Sequence, residues 1–193
     1  MTMANTFVHL RVHSEYSMVD GLVRVKPLIS RVAELGMPAV GLTEQSNMCS
    51  LVRFYKAAMG AGVKPIIGAD IWLENPDEPE TPFRLTLLAR DNDGYLNLTE
   101  IISQGYTEGQ RYGKPIVQKT WLESRAKGLI VLSGAKMGDV GKALLAGKPE
   151  LARERADYWR NLYPDSYYLE LQRTGRAGDE DCLHMSVELA AEL

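Results

Sequence analysis

The chain has 193 residues, 45% of them hydrophobic and 24% charged, with a formal net charge of -3 at pH 7, which is the balance of one ordinary globular domain. No block of Lys and Arg occurs, so we do not expect this segment to grip DNA directly, because neutralising phosphates dominates such binding. Two cysteines, Cys49 and Cys182, are too few and too far apart for a disulfide framework or a C-x-x-C zinc site.

Short apolar runs alternate along the chain with longer patterns of helical period. The first half predicts strands over 7–12, 38–43, 64–73 and 83–90, and helices over 26–35, 50–60 and 95–104, with an acidic, proline-rich loop over 74–82. The second half predicts strands over 128–133 and 166–172 and helices over 138–145 and 149–163. A last helix starts near Asp179 and is expected to point Leu183, Val187, Leu189 and Ala190 inward.

This mostly β-α order predicts a parallel sheet with right-handed crossovers. No glycine-rich dinucleotide fingerprint follows the first predicted strand, which disfavours a nucleotide-binding doubly wound fold. We therefore expect an α/β fold of the parallel barrel type, whose active groups gather at the carboxyl ends of the strands. Because the sequence stops at SVELAAEL, inside an amphipathic pattern, residues 1–193 are expected to be one domain truncated at its C-terminus.

Nothing in the sequence points to a membrane or to secretion. No apolar run approaches the roughly 20 residues of a membrane span, and the start, MTMANTFVHL, lacks the basic and apolar regions of a signal peptide. We expect a cytoplasmic protein.

The most informative polar cluster follows the first predicted strand. His9, Arg11 and His13 alternate, so a strand would point all three to one side, and Asp20 comes shortly after. Two imidazoles and a carboxylate could ligate zinc, manganese or iron. Alternatively, the histidines are structural, because the permanent charge of Arg11 repels a divalent ion placed between its neighbours.

Two further clusters end the next predicted strands. Glu44 could ligate a hard ion, whereas its neighbour Gln45 is a poor ligand for a transition metal. Asp70 is an acidic residue in an otherwise apolar run, and a buried carboxylate must be paired or coordinated. Either Arg11 or Arg84 is a candidate partner for it.

These residues lie in segments that together resemble a known family. The segments are FVHLRVHSEYSMVDG, PAVGLTEQSNM, KPIIGAD, LLARDNDGYLNL, GLIVLSGAKMGDVG and YYLELQRTGR. They look like successive motifs of the PHP (polymerase and histidinol phosphatase) domain of bacterial replicative DNA polymerase III alpha subunits. The resemblance implies a distorted parallel (β/α) barrel with seven or so strands in the full domain, whose last strand or strands and final motif would lie beyond Leu193.

The same motifs depart from those of the metal-bearing members of the family. The resemblance places a family ligand at His13, at Asp20 and, with a shorter side chain, at Asp70. It places Arg11 and Arg84 where the family has histidines. The remaining departures are Glu44 and Gln45 in place of Asp-His, and Ala135 in place of a cysteine.

The resemblance is therefore to the proteobacterial type with a degraded metal site. Its vestigial cleft would contain Arg11, His13, Asp20, Glu44, Gln45, Asp70, Arg84 and Ala135. No catalytic residue, metal or cofactor is expected. If an ion were held, His13, Asp20 and Asp70 would hold it.

Two functional hypotheses follow from the resemblance. The first is a non-catalytic part of a DNA-directed DNA polymerase that packs against the palm and thumb, docks the epsilon proofreading exonuclease, and meets DNA only through the parent polymerase. The polymerase active site itself would lie outside this chain. The second is an active metal-dependent phosphoesterase, such as a proofreading 3'-5' exonuclease, a pyrophosphatase or a phosphatase, with zinc, manganese or iron at a residual PHP site.

Overall fold

The computed structural model describes residues 7–18 and 20–193. The chain divides into two compact units, Met1–Asp70 and Ile71–Leu193. In the described part of the chain, no helix combines the length and the hydropathy that crossing a bilayer requires.

The first unit contains a parallel strand pair joined through a helix. Its elements are a 3-10 helix over Glu15–Ser17, α1 over Val25–Glu34, β1 over Ala39–Gln45, α2 over Leu51–Gly60 and β2 over Lys64–Leu73. The boundary between the two units falls within β2, after Asp70. β1 and β2 run parallel, from the pair Ala39–Lys64 to the pair Gln45–Asp70. All four predictions for α1, β1, α2 and β2 are confirmed within two residues.

Periodicity explains the helices of this unit. In α1 the buried side chains Val25, Ile29 and Val32 recur at helical spacing, and in α2 the buried residues are Phe54 and Ala58. They form one apolar core with Val40, Leu42 and Val63.

The predicted first strand over 7–12 is wrong. The segment carries no regular ladder, although the Gly41 N–H donates to the His9 carbonyl at 2.6 Å and the Thr43 N–H donates to the Val12 carbonyl at 2.9 Å. An advance of two residues along β1, from Gly41 to Thr43, thus matches an advance of three along the segment, from His9 to Val12, which breaks the strand register. A Cβ on Gly41 would lie 2.5 Å from the Leu10 carbonyl oxygen, so the close approach requires glycine.

The second unit contains the remaining helices and strands, which do not alternate regularly along the chain. They are β3 over Phe83–Ala89, α3 over Asn92–Thr107, β4 over Gln110–Arg111, β5 over Lys114–Val117, α4 over Lys119–Glu123, β6 over Leu129–Leu132, a 3-10 helix over Ala135–Met137, α5 over Asp139–Leu145, α6 over Pro149–Leu162, β7 over Tyr167–Tyr168 and α7 over Asp179–Glu192. The predictions overlap β3, α3, β6, α5, α6, β7 and α7, and they miss β4, β5 and α4.

The predicted parallel barrel is corrected by the strand pairing. The strand order is β4-β5-β2-β3-β6-β7 with β1 on β2, seven strands in all, and the sheet does not close among the described residues. β3 and β6 are antiparallel, as are β4 and β5. The short hairpin β4-β5 and the helix α4 add chain reversals between β3 and β6, so the two strands run in opposite directions.

The last helix, α7, buries Leu189 as predicted, but the rest of its inward stripe differs from the prediction. Its buried residues include Cys182, Ser186 and Leu189, which recur at helical spacing. Val187 is 48% exposed, and Ala190 is also exposed. The inward stripe contains a cysteine and a serine, which apolar periodicity alone does not select.

Candidate functional site

A buried carboxylate at the end of the first unit organises the candidate site. The Asp70 side chain has no exposed surface, and its Oδ2 accepts from Arg11 Nε at 2.6 Å and lies 2.7 Å from His13 Nε2. The Arg11–Asp70 ion pair is thus one of the two alternatives offered by the sequence. β2 fixes Asp70, while the extended segment before the 3-10 helix supplies Arg11 and His13.

His13 joins two carboxylates. Its Nε2 faces Asp70, and its Nδ1 lies 2.8 Å from Asp20 Oδ1. Because a carboxylate oxygen accepts hydrogen bonds, both contacts are hydrogen bonds when both ring nitrogens carry a proton. The imidazolium form therefore fits this arrangement, in which Arg11 and His13 contact Asp70 and His13 also contacts Asp20.

The surroundings raise the pKa of His13 above its ordinary value. Burial disfavours the charged ring and acts to lower the pKa, but the hydrogen bonds and negative charges of Asp70 and Asp20 together outweigh it. The cationic form of His13 is therefore favoured by the fold.

Gln45 is hydrogen-bonded to the main chain of Asp70, at the border of this network. It pairs with Asp70 in the β1–β2 register, and its Nε2 donates to the Asp70 carbonyl at 3.1 Å and to Ser46 Oγ at 3.2 Å. The Asp70 carbonyl also accepts from the Ser46 N–H at 2.6 Å. The amide thus fixes the end of the strand pair.

Glu44 lies on the opposite face of β1, since successive strand residues alternate. It is 1% exposed and accepts from three serine hydroxyls: Ser17 Oγ at 2.6 Å, Ser50 Oγ at 2.9 Å, and Ser14 Oγ. The Ser14 N–H adds a fourth hydrogen bond at 3.0 Å. The sequence did not predict this role. The small hydroxyl residues on both sides of β1 are the signal that could have suggested it.

The backbone just after His13 lies against the backbone just before α1. The Glu15 N–H donates to the Val23 carbonyl at 2.8 Å, and Ser14 and Val23 form an isolated parallel bridge. A Cβ on Gly21 would lie 1.7 Å from the Ser14 carbonyl oxygen. Only glycine fits there, and the closed loop brings Asp20 to His13.

The structure gives the surroundings of the three remaining predicted residues. His9 is exposed, and its ring stands edge-on to that of Phe7 at 4.8 Å. Arg84 and Ala135 belong to the second unit. There the Arg84 guanidinium lies 4.6 Å from the Trp72 ring centroid, and Ala135 is buried at the start of a 3-10 helix. Their place in a common cleft stays a prediction.

The second unit contains a buried carboxylate that the sequence did not single out. Asp139, at the start of α5, has no exposed surface. Its carboxylate accepts from Trp159 Nε1 at 3.0 Å and from Lys119 Nζ at 3.2 Å. The Asp139 carbonyl accepts from Arg155 at 2.7 Å. These contacts link α4, α5 and α6, so the role of Asp139 is to stabilise the packing of these three helices.

Comparison with known proteins identifies the family. The model of the PHP domain matches residues 9–174, so the chain belongs to the PHP domain family.

Within it, the chain is 56% identical over 189 residues to the DNA polymerase III alpha subunit of Pseudomonas aeruginosa, covering 98% of this chain and 16% of that protein. It is 49% identical over 184 residues to the alpha subunit of Escherichia coli strain K12, covering 95% of this chain and 16% of that protein. The chain thus spans about one sixth of the length of these relatives.

A solved structure shares the fold over nearly the whole chain. It is that of a Bifidobacterium adolescentis protein assigned as a metal-dependent phosphoesterase, with a TM-score of 0.59 and 11% identity. It covers 98% of this chain and 84% of that one. At this identity the match shows the fold alone.

The metal that the PHP family implies does not fit the side chains of the first unit. No group of three or more His, Cys, Asp or Glu side chains in the described ranges, 7–18 and 20–193, is arranged to hold a metal ion. Both nitrogens of His13 face carboxylates, so the doubly protonated ring has no lone pair for an ion. The Arg11 guanidinium occupies the same Asp70 oxygen as His13. In the first unit, the Asp70 carboxylate is thus already hydrogen-bonded to two of the protein's own basic side chains.

Proposed function

We propose that this chain is a non-catalytic PHP module of a replicative DNA polymerase III alpha subunit, acting as a scaffold for the polymerase. One observation carries the proposal: Arg11 and His13 share the Oδ2 of the buried Asp70. Two protein cations on one carboxylate oxygen exclude a divalent ion by charge and by position. Hydrolysis that depends on a metal then has no centre at which to activate water.

The partners of this module follow from the family of its relatives. It would pack against the palm and thumb of the same polymerase and dock the epsilon proofreading exonuclease. DNA would be met through the parent polymerase, because the chain is net acidic and carries no basic block. A cytoplasmic location belongs to the same proposal.

The rival function is a metal-dependent phosphoesterase using zinc, manganese or iron at His13, Asp20 and Asp70. Metal content separates the two. The complete subunit, purified without chelator, is analysed by inductively coupled plasma mass spectrometry and assayed for 3'-5' exonuclease, pyrophosphatase and phosphatase activity. We expect less than stoichiometric metal and no turnover. Stoichiometric metal, together with turnover abolished by His13→Ala, would overturn the scaffold proposal.

The docking part has its own test. Binding of the complete subunit to the carboxyl-terminal segment of the exonuclease is measured by isothermal titration calorimetry. We expect saturable binding. If the complete subunit fails to bind, the docking role is wrong, whereas the metal result still decides the question of catalysis.

A further inference from the structure

The helix α2 presents an apolar stripe to solvent in addition to the side that it packs into the core. Val52, Tyr55 and Met59 are 65%, 51% and 57% exposed, and their spacing of three and four residues places them on one side of the helix. Single exposed apolar residues are ordinary on a protein surface, whereas a contiguous stripe marks an interaction site. Tyr and Met are also typical of such sites.

Cations without acidic partners border this stripe. Arg53 and Lys56 are exposed on the same helix, and no carboxylate of the described residues lies within 4.0 Å of either. The sequence contains no Asp or Glu from Gln45 to Ala69, although the chain as a whole has a net charge of -3. The surface of α2 is therefore locally positive on a chain that is otherwise acidic.

A cleft of about 530 Å³ extends this positive surface to the start of α1. It is lined by Glu15, Arg24, Val25, Lys26, Pro27 and Arg53. Cations outnumber acids in this lining, and the approach of Arg24 Nε to Glu15 is long, at 3.9 Å. Lys26 has no carboxylate within 4.0 Å among residues 7–18 and 20–193. The cleft can therefore accept further negative charge.

We propose that the α2 stripe and this cleft form one docking surface for an acidic, amphipathic segment of a partner protein. The apolar side chains of the segment cover Val52, Tyr55 and Met59, and its carboxylates meet Arg53 and Lys56. Charge complementarity selects this occupant. Nucleic acid fits less well, because interfaces with it are more polar and would leave the apolar stripe in water. The proposal goes beyond the scaffold role and rests on this surface alone.

The test uses the complete subunit and a synthetic probe. The probe is a fluorescein-labelled helical peptide of about 18 residues, with leucines at helical spacing on one side and glutamates on the other. In the matched control peptide, lysine replaces every glutamate. We expect the acidic peptide to bind at least roughly tenfold more tightly by fluorescence anisotropy, with affinity that falls as salt is added.

Variants locate the binding. Arg53→Glu with Lys56→Glu is expected to weaken the acidic peptide by roughly tenfold or more, since two attractions become repulsions. Tyr55→Ala with Met59→Ala is expected to weaken it similarly, because these are the apolar anchors. Lys148→Glu makes a charge reversal at an exposed residue of the second unit and should leave binding unchanged. Circular dichroism of each variant checks that the fold is retained.

A chemical readout reports the position of the bound peptide. Cys49 is an exposed free thiol two residues before α2, whereas Cys182 is buried. Bound acidic peptide should slow alkylation of Cys49 by N-ethylmaleimide, measured by mass spectrometry. The proposal is wrong if the complete subunit does not bind the acidic peptide, if both peptides bind equally, or if the α2 variants bind as well as Lys148→Glu. Docking of the exonuclease is measured separately, so its failure is distinguishable from failure here.

Discussion

Replacing Asp70 by asparagine removes the charge that Arg11 and His13 share without changing the size of the side chain. The Asp70 side chain has no exposed surface, while those of Arg11 and His13 are 15% and 13% exposed. Breaking a buried ion pair costs about 3–5 kcal/mol when it leaves a charge unpaired. Because Arg11 and His13 keep some contact with water, we expect Asp70→Asn to lower the free energy of unfolding by about 2–4 kcal/mol.

The loss should depend on pH, because Asp70 helps to raise the pKa of His13 above its ordinary value of 6.5. A raised pKa in the folded state contributes stability that is fully present below the unfolded pKa and is lost as pH rises through the folded pKa. The variant lacks the part of this contribution that comes from Asp70. The difference between the wild type and Asp70→Asn should therefore be larger at about pH 6 than at about pH 9.

The assay must report on the first unit. Trp121 and Trp159 lie in the second unit, and Trp72 lies on β2 two residues after Asp70, so tryptophan fluorescence does not isolate the first unit. Hydrogen–deuterium exchange of peptides from β1 and β2, combined with denaturation followed by circular dichroism, measures the relevant opening. Asp181→Asn, an exposed change at the start of α7, is the control. A loss below about 0.5 kcal/mol for Asp70→Asn, no larger than that of a surface substitution, would refute the reasoning.

Three further substitutions test the remaining buried contacts by the same denaturation measurement. Glu44→Gln replaces an acceptor of three serine hydroxyls by a group that is half donor, and should cost about 1–3 kcal/mol; wild-type stability would contradict the role assigned to the serine contacts. Gly21→Ala forces a Cβ into a carbonyl oxygen and should cost at least about 2 kcal/mol, whereas Gly60→Ala, which meets nothing within 4 Å, should be neutral or slightly stabilising. Trp159→Phe leaves the buried Asp139 without its indole donor and should cost about 1–3 kcal/mol, and an unchanged midpoint would show that Lys119 suffices.

Local pattern was enough to predict most of the elements. α1, β1, α2 and β2 carry clear apolar periods and end at glycine, proline or polar residues, so they were predicted within two residues. β4, β5 and α4 have two, four and five residues, which is too short for a period to appear. Because the sequence does not predict these three elements, it also does not predict the chain reversals between β3 and β6. Those reversals make the sheet mixed, whereas the sequence predicts a parallel barrel.

The residue types of the candidate site were also visible in the sequence, but their pairing was not. A carboxylate in an apolar run predicts a partner for Asp70, and two arginines were equally suitable. The structure shows Arg11 and His13 on the same oxygen, across separations of 59 and 57 residues. The resemblance places Glu44 in the cleft because it stands where the family has an aspartate, and strand alternation turns its side chain toward the serines.

The sequence by itself determined where most of the helices and strands lie and which family the motifs resemble, because periodicity and motif spacing are properties of neighbouring residues. Tertiary structure alone decided the strand directions, the two faces of β1, and the use of a guanidinium and an imidazolium as the counter-charges of Asp70. These depend on contacts between residues far apart in the chain, whose geometry is set by packing and by the need to pair every buried charge.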